Sequence, residues 1–591
     1  MADRWQTYSV EYAGGLITNL SPYQHGIKAP GSARILRNFE PSVFGGYRRV
    51  EGYVKLGGTS TNIPVVPNSG LIRGVLKFGS NFLAFRGDDL FLCDGQASTS
   101  SWTQVSDTTA YPASSATAVV NGAISSTTAL VVDGNSGTIK AGMVVTGTGI
   151  SGTVTVSSLS DQNNLVLSSN QTLSNDVTLT FKETSPTIGG SSGKVRFLKY
   201  NFDGTEKLFI VDGTGKPFRF TGSVFEQLSS LPSDTSGASH VVNFKGHIFL
   251  ANGTKLVHSA PEDETDFSVA NGGGVFNIGD TITGLIVFRE QLIIFTRNTI
   301  SVLQGTSTLD FVLQPVSRSL GCVSEDTIQE IGGDIIFLGP DGLRLFSATD
   351  KIGDFGLAVI SKPIQTEMLD LTSSSPNGFS SIVIREKSQY RIFGFNTSTQ
   401  DNAAKGIAGT QLEDGIKWND LRGFNAHVAF SEYDFGATGA SEVILFGNAT
   451  GFVYQMEQGN TQDGAHINAT FATPFIPLQD PEVRKTIYKG TTYLDVNGSF
   501  DLEYSLKFDF DQPDGVQPDS TLTTDSAASV TYGEGVFGTS LFGNKQKAIY
   551  EVQTVGSGFT VSLLYETTGS GTDAVFSIDS ATLEYAVNDR R

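Results

Sequence analysis

The sequence predicts an all-β protein: a β-propeller body, a small inserted β-domain and a C-terminal β-sandwich-like domain. Three observations lead there. Short apolar runs recur around tight turns, as in Gly332–Asp350 (GGDIIFLGPDGLRLFSATD), Phe78–Gly95 and Gly439–Gly459. The composition is rich in turn formers and aromatics, with 67 Gly and 40 Phe, and only 17% of residues are charged. That balance suits turn-rich sheets and excludes a disordered or collagen-like chain. Finally, 591 residues exceed what one ordinary core supports, so several domains are expected.

Each repeat reads as a strand, a turn and a strand. In residues 334–348, Ile335, Phe337, Leu343 and Leu345 are expected to share faces of a hairpin, with Gly342 supplying positive φ. Seven segments have this form: 70–95, 194–229, 240–270, 284–314, 322–349, 379–422 and 426–458. Such a unit cannot bury both faces alone, and radial arrangement solves that while leaving short edges.

Domain boundaries follow from where the pattern changes. Residues 1–69 form an N-terminal docking segment with the first strands, and 70–112 the first part of the propeller. Residues 113–182 carry five charged residues and one aromatic, Phe181, and alternate in stretches such as TALVVD and VTLTF. They predict a small β-domain inserted in a blade loop, where extra length costs little closure entropy. The remaining blades occupy 183–464. Beyond about 465 the strands lengthen, as in KTIYKGTTYLDV and FSIDSATLEYAV, giving a C-terminal β-rich domain over 465–591. One helix is predicted in SKPIQTEMLDL, capped by Ser361, with Ile364, Met368 and Leu371 at helical spacing.

Charge limits the function classes. The net charge of −20 argues against a protein that grips nucleic acid through phosphates. Residues 1–80 hold nine Lys/Arg against four Asp/Glu, a balance of +5, so the rest carries −25. A basic leading segment on an acidic body suggests docking to an acidic neighbour through Arg34, Arg37, Arg48 and Arg49. Two cysteines, Cys93 and Cys322, make no framework; a reducing compartment is the simpler reading and a single disulfide the alternative. The opening residues lack an apolar signal-peptide core, and no run is long enough for a membrane helix.

Motifs of chemistry are sparse. GTGISG (Gly147–Gly152) matches a dinucleotide fingerprint in letters, but strand, not helix, follows it. The six histidines lack metal-ligand spacing, although His247 and His258 could lie on adjacent strands. KFDFDQPDG places Asp511 and Asp514 in an acidic turn that departs from a calcium loop at Pro513. APEDETDF clusters Glu262, Asp263, Glu264 and Asp266 in an exposed blade loop. Neither a nucleophile elbow nor the Asp-box turns of glycan-cleaving propellers occur, so no catalytic site, metal or cofactor is expected.

The stretch GGLITNLSPYQHGIKAPGSARILRNFEPSVFGGYRRVEGYVKLG resembles the opening of the tail nozzle proteins of short-tailed bacteriophages, also called tail tubular protein B or, in a related branch, the DNA stabilisation protein. The matching positions are Gly14, Gly15, Pro22, Ala33, Asn38, Arg48, Arg49 and Gly52; Val50-Glu51 stands where the family often has Arg-Pro-Gly. VHSAPEDETDFS (Val257–Ser268) and ISKPIQTEMLDL are similar to family segments too. The resemblance implies a homo-hexameric ring at the virion tail, assembled in the host cytoplasm. It also implies contact with the tail adaptor below the portal and with tail fibre or spike proteins. Genomic double-stranded DNA would pass through without specific binding, with Glu262, Asp263, Glu264, Asp266, Asp511 and Asp514 as channel or gate loops. A propeller polysaccharide depolymerase and a carbohydrate-binding adhesin are the alternatives.

Overall fold

A computed structural model describes residues 5–57, 64–95, 101–105, 115–182, 188–190, 193–351, 359–397, 404–434, 441–496, 500–511, 517–518, 521–525, 529–530, 541–542, 546–553, 555–568 and 574–588. The chain forms two compact units, one of residues 64–319 and one of residues 1–63 with 320–591. Both are built almost wholly of antiparallel sheet, and the propeller blade is the recurring element.

The unit of residues 64–319 holds four four-stranded meanders. The clearest is His240–Phe244, His247–Asn252, Lys255–His258 and Gly274–Asn277. Its second strand is buried on both faces, as a blade requires. Ile248 and Leu250 pack with Phe209 and Val211 of the preceding sheet. Phe249 and Ala251 pack with Leu292 and Ile294 of the following sheet. Period-two alternation therefore gives two apolar faces here rather than one wet face, and each sheet is sandwiched by its neighbours.

Residues 115–182 of the same unit form a closed six-stranded barrel, ordered Ser115–Val120, Ile124–Ser136, Asn164–Leu173, Val154–Leu159, Val144–Gly147 and Thr178–Lys182. It has its own core, including Leu130, Met143, Val156, Leu179 and Phe181. Closure removes every sheet edge, which lets a sequence with one aromatic fold around small aliphatic residues. Gly147–Gly152 turns between two strands of this barrel, as the strand reading requires.

In the other unit, the sheet Gln329–Ile331, Asp334–Gly339 and Gly342–Leu345 contains the hairpin around Pro340. Its register differs from the expected one. Leu343 faces Leu338 and Leu345 faces Ile336, while Phe337 faces Arg344. The two-residue loop Pro340-Asp341, closed by Gly339 opposite Gly342, sets this pairing. Because Ile335 to Leu338 are all buried, apolarity alone could not choose between faces. Gly342 has φ 137° as expected.

Two larger sheets complete this unit. Strands Phe379–Ile384, Gln389–Gly394, Lys405–Leu412 and Gly415–Arg422 continue through Ile35–Arg37 and Thr470–Ala472 into the C-terminal strands Val561–Thr567 and Phe500–Phe508. The second sheet joins Lys485–Val496 and Phe576–Val587 with the N-terminal strands Gln6–Glu11, Phe39–Pro41 and Tyr47–Arg49. A single aromatic core, with Tyr12, Phe39, Phe471, Tyr565 and Phe576, lies between them. The N-terminal strands within residues 6–49 and the strands of 470–587 thus share both sheets. Tyr53–Lys55 likewise pairs with Val453–Met456 of the last blade segment. Pairings across more than 400 positions leave no local signal in sequence.

The predicted helix exists as Gln365–Ser374, preceded by a 3-10 turn Lys362–Ile364, and it buries Met368 and Leu371. Ser361 does not cap it. Its hydroxyl accepts the Leu343 N–H at 3.0 Å instead.

Candidate functional site

The N-terminal hairpin Phe39–Pro41/Tyr47–Arg49 carries Glu40 into the unit of residues 1–63 and 320–591, where it meets charges from the blade strands. Glu40 Oε2 lies 3.1 Å from Arg391 Nη2, and Glu40 Oε1 lies 2.6 Å from Lys387 Nζ. Arg391 Nη1 pairs with Glu457 Oε1 at 2.7 Å, and Lys387 pairs with Glu457 as well. Arg48 reaches Glu40 at 3.9 Å and pairs with Glu51. Gln389 fills the remaining valences, donating to Glu40 at 3.2 Å and accepting from Arg391 Nε at 2.5 Å.

Three anions and three cations are thus matched, with Arg391 and Glu40 buried at the centre and Arg48 and Glu51 at the half-buried edge. Burial pushes Glu457 up, but Arg391 and Lys387 outweigh it and hold its carboxyl down at about 2. Burial likewise pulls Lys387 down, and Glu40 and Glu457 overcome it. Glu51 goes the other way, raised chiefly by burial. A buried pair of this kind stabilises little beyond an apolar substitute, yet it penalises any register that leaves one member alone.

Above the cluster is an open cleft of about 620 Å³, walled by the turn holding Val43 and Phe44 and by Asp495 and Asp579. Phe44 is 95% exposed. The charged groups Glu40, Arg48 and Lys387 of the floor pair within the cluster, so this arrangement ties distant segments together. Elsewhere, His25 Nε2 lies 2.6 Å from Ser32 Oγ. The Ser32 hydroxyl also lies 2.6 Å from Ala29 O. No cluster of three metal-ligating side chains occurs among the described residues. His247 and His258 do sit on adjacent strands with rings 5.4 Å apart, and both Nδ1 atoms face Ser259 O.

The predicted docking arginines have different fates. Arg49 is fully buried and donates to Asn460 O at 2.9 Å, so it is internal and not a surface contact. Arg48 belongs to the ion cluster. Arg34 lies over the Phe475 ring at 5.0 Å and is lowered by burial. Arg37 alone of the four is exposed, 3.3 Å from Asp420. Sequence alone presents Arg49 and Arg34 as surface charge because their partners Asn460 and Phe475 come from distant segments.

The acidic loop of the other unit also sorts itself. Glu264 is buried; it accepts from Arg219 at 2.9 Å and lies 3.4 Å from Lys207. Arg219 also binds Glu226, which takes Lys140 of the barrel at 2.8 Å. Burial raises both carboxyls; Lys140 and Arg219 outweigh it at Glu226, and the Glu264 backbone N–H with Arg219 and Lys207 outweighs it at Glu264, leaving both below their ordinary value. Asp263 and Asp266 close their own turns, accepting from Thr265 and Ser268, and Glu262 is exposed. Glu264 therefore ties two blades and the barrel together and is withdrawn from any channel surface. Asp511 is exposed at the end of a turn with three successive positive φ values, while Asp514 lies outside the described residues. Sequence reasoning missed Arg219, Glu226, Arg391 and Glu457; isolated charges within apolar strands such as QYRIFG are the signal that could have found them.

A family model described as bacteriophage P22 Gp10, beta-propeller, matches residues 140–343. The match takes in the latter part of the barrel and four successive blade sheets, and over that stretch the chain is similar to a bacteriophage propeller family. No curated protein matches the chain. Among solved structures, the chain is similar to the computationally designed Ika8 protein at 10% identity, covering 69% of this chain and 99% of that one, TM-score 0.31. It is similar to a glycoside hydrolase family 43 arabinoxylan arabinofuranohydrolase from Bacillus subtilis at 9% identity, covering 91% and 99%, TM-score 0.24. It is also similar to Kluyveromyces lactis Hsv2p at 10% identity, covering 60% and 97%, TM-score 0.24. Scores of this size carry no functional argument. Among the described residues no helix is long and apolar enough to cross a membrane.

Proposed function

We propose that the chain is a non-enzymatic structural protein of a short-tailed phage virion, the nozzle or distal tail tube through which the genome is retained and then ejected. The observation that carries this reading is the match of residues 140–343 to the bacteriophage P22 Gp10 propeller family. The physical character of the chain supports it. Blades packed face to face and cross-linked by buried ion clusters make a stiff wall, which suits a ring of six copies bound to an adaptor, with fibres or spikes attached. The net charge of −20 suits a conduit, because few phosphates would be neutralised along the way. Mass measurement of the purified protein tests the ring: a closed oligomer, or assembly onto the adaptor, is expected. A monomer or trimer that cleaves host polysaccharide would overturn the reading in favour of a depolymerase.

A further inference from the structure

A second pocket of about 380 Å³, within the unit of residues 1–63 and 320–591, is lined by Arg37, Asn38, Arg422, Gln462, His466 and Asn468. Its two guanidinium groups are held side by side by one carboxylate. Arg37 is in parallel register with Asp420, and Asp420 Oδ2 accepts from Arg37 Nε at 3.3 Å and from Arg422 Nε at 2.9 Å. Both bonds use the Nε edge. Among the described residues neither Nη of Arg37 has a partner, and Arg422 Nη2 has only Glu367 at 3.9 Å.

The frame around these groups is rigid. Asn38 is buried with φ 53°, a left-handed conformation that an Asn tolerates better than most residues. Its amide donates to Asn468 O at 2.8 Å and accepts the Arg422 N–H at 2.8 Å. Gln462 donates to Arg422 O at 2.7 Å and leans on Gly423, where a Cβ would come within 2.3 Å of its Oε1. Asp420 is buried, and that burial raises its carboxyl to about 6 against the pull of Arg422 and Arg37. Asp420 bonds both Nε edges and Glu367 stands 3.9 Å from Arg422 Nη2, which leaves the two Nη atoms of Arg37 as donors without an acceptor among the described residues, the donor set that oxyanions select.

We infer that this pocket is an oxyanion-binding subsite, taking one carboxylate or phosphate group across the Nη edges of Arg37 and Arg422. Nothing in the conduit reading requires it, so the two stand or fall separately. Calorimetric titration of the full chain with sodium sulfate at low ionic strength tests it, sulfate being doubly charged across the working pH range. One saturable site per chain is expected, weakened by about tenfold or more in Arg37→Gln, since a charged hydrogen bond contributes roughly 1.5–3 kcal/mol. Asp420 keeps its bond from Arg422 Nε and Arg37 is 44% exposed in its side chain, so the variant should still fold cooperatively. Arg37→Lys, which keeps charge but not the fork, should fall between the two. Competition by acetate would point to an acidic side chain as the natural source, and competition by a dinucleotide to a phosphodiester. Absence of saturable sulfate binding, or equal binding by parent and Arg37→Gln, would overturn the inference.

Discussion

Glu40 and Arg391 stand 351 positions apart in the chain and 3.1 Å apart in the folded protein, with Arg391 fully buried. The pair fastens an N-terminal hairpin to a central blade strand. Removing one partner leaves a buried charge without compensation. Arg391→Ala should therefore cost about 3–5 kcal/mol, seen as a lower midpoint in denaturant unfolding of this unit. Lys405→Ala removes a lysine whose partner, Asp370, is 43% exposed and stays solvated when left alone, and it should cost no more than about 1 kcal/mol. Equal midpoints for the two variants would refute the role given to the cluster.

Acid should act on two places in a definite order. His258 is lowered, chiefly by burial, so the unfolded chain protonates first, and stability is lost as pH falls below the ordinary histidine value near 6.5. Glu457 is depressed to about 2, so its contribution is full above about 4.5 and lost as pH falls from there toward 2. Hydrogen exchange followed by mass spectrometry should show protection fading first in His247–Asn252 and Lys255–His258, and later around Val453–Met456. His258→Gln should abolish the first step alone. Simultaneous loss in both places would contradict this order.

The barrel should be dispensable for folding of the rest. It has a closed strand order and its own core, and Lys140–Glu226 is an ion pair between it and the blades. Deleting residues 113–182 and joining the flanks by a short Gly/Ser linker should leave a cooperative melt and a β-type circular dichroism spectrum. An insoluble or unfolded product would show that the barrel is needed to complete the blades.

Local pattern made the blades and the barrel legible. Strand lengths, turn residues such as Gly342 and the weakly charged run 113–182 all report on neighbours close in sequence. The hairpin faces at Ile335–Leu345 were not legible, because a strand buried on both sides gives no alternation to read. Arg49 shows the same limit for sites: its acceptors at Asn460 and Ala574 are more than 400 positions away, so it reads as surface charge until the fold is known.

That placement changes what mutation of the basic segment should do. Arg49→Glu puts a carboxylate among backbone carbonyls in a fully buried position and should prevent folding. Arg37→Ala should fold normally and, if this segment docks onto an acidic neighbour, should impair tail assembly most at low salt, the difference from the parent shrinking as salt rises and screens the contact. Soluble yield, melting and particle assembly distinguish the two outcomes. Folded Arg49→Glu protein would mean that the residue is not internal.

Duplex DNA should bind poorly. The net charge is −20, and Glu264 and Glu226 have already taken up Arg219 and Lys140 internally. At physiological salt the dissociation constant should be weaker than the roughly 10⁻⁴–10⁻⁶ M of ordinary non-specific binders, measured by fluorescence anisotropy. Micromolar binding would indicate a true DNA-binding role.

The proposed place of this chain is that of a structural part of a phage tail. Gold-labelled antibody against it, applied to intact particles of the phage that encodes it and viewed by electron microscopy, tests that claim directly. Label confined to the distal end of the tail on most particles is the predicted result. Unlabelled particles, with the protein found only free in the lysate, would contradict it.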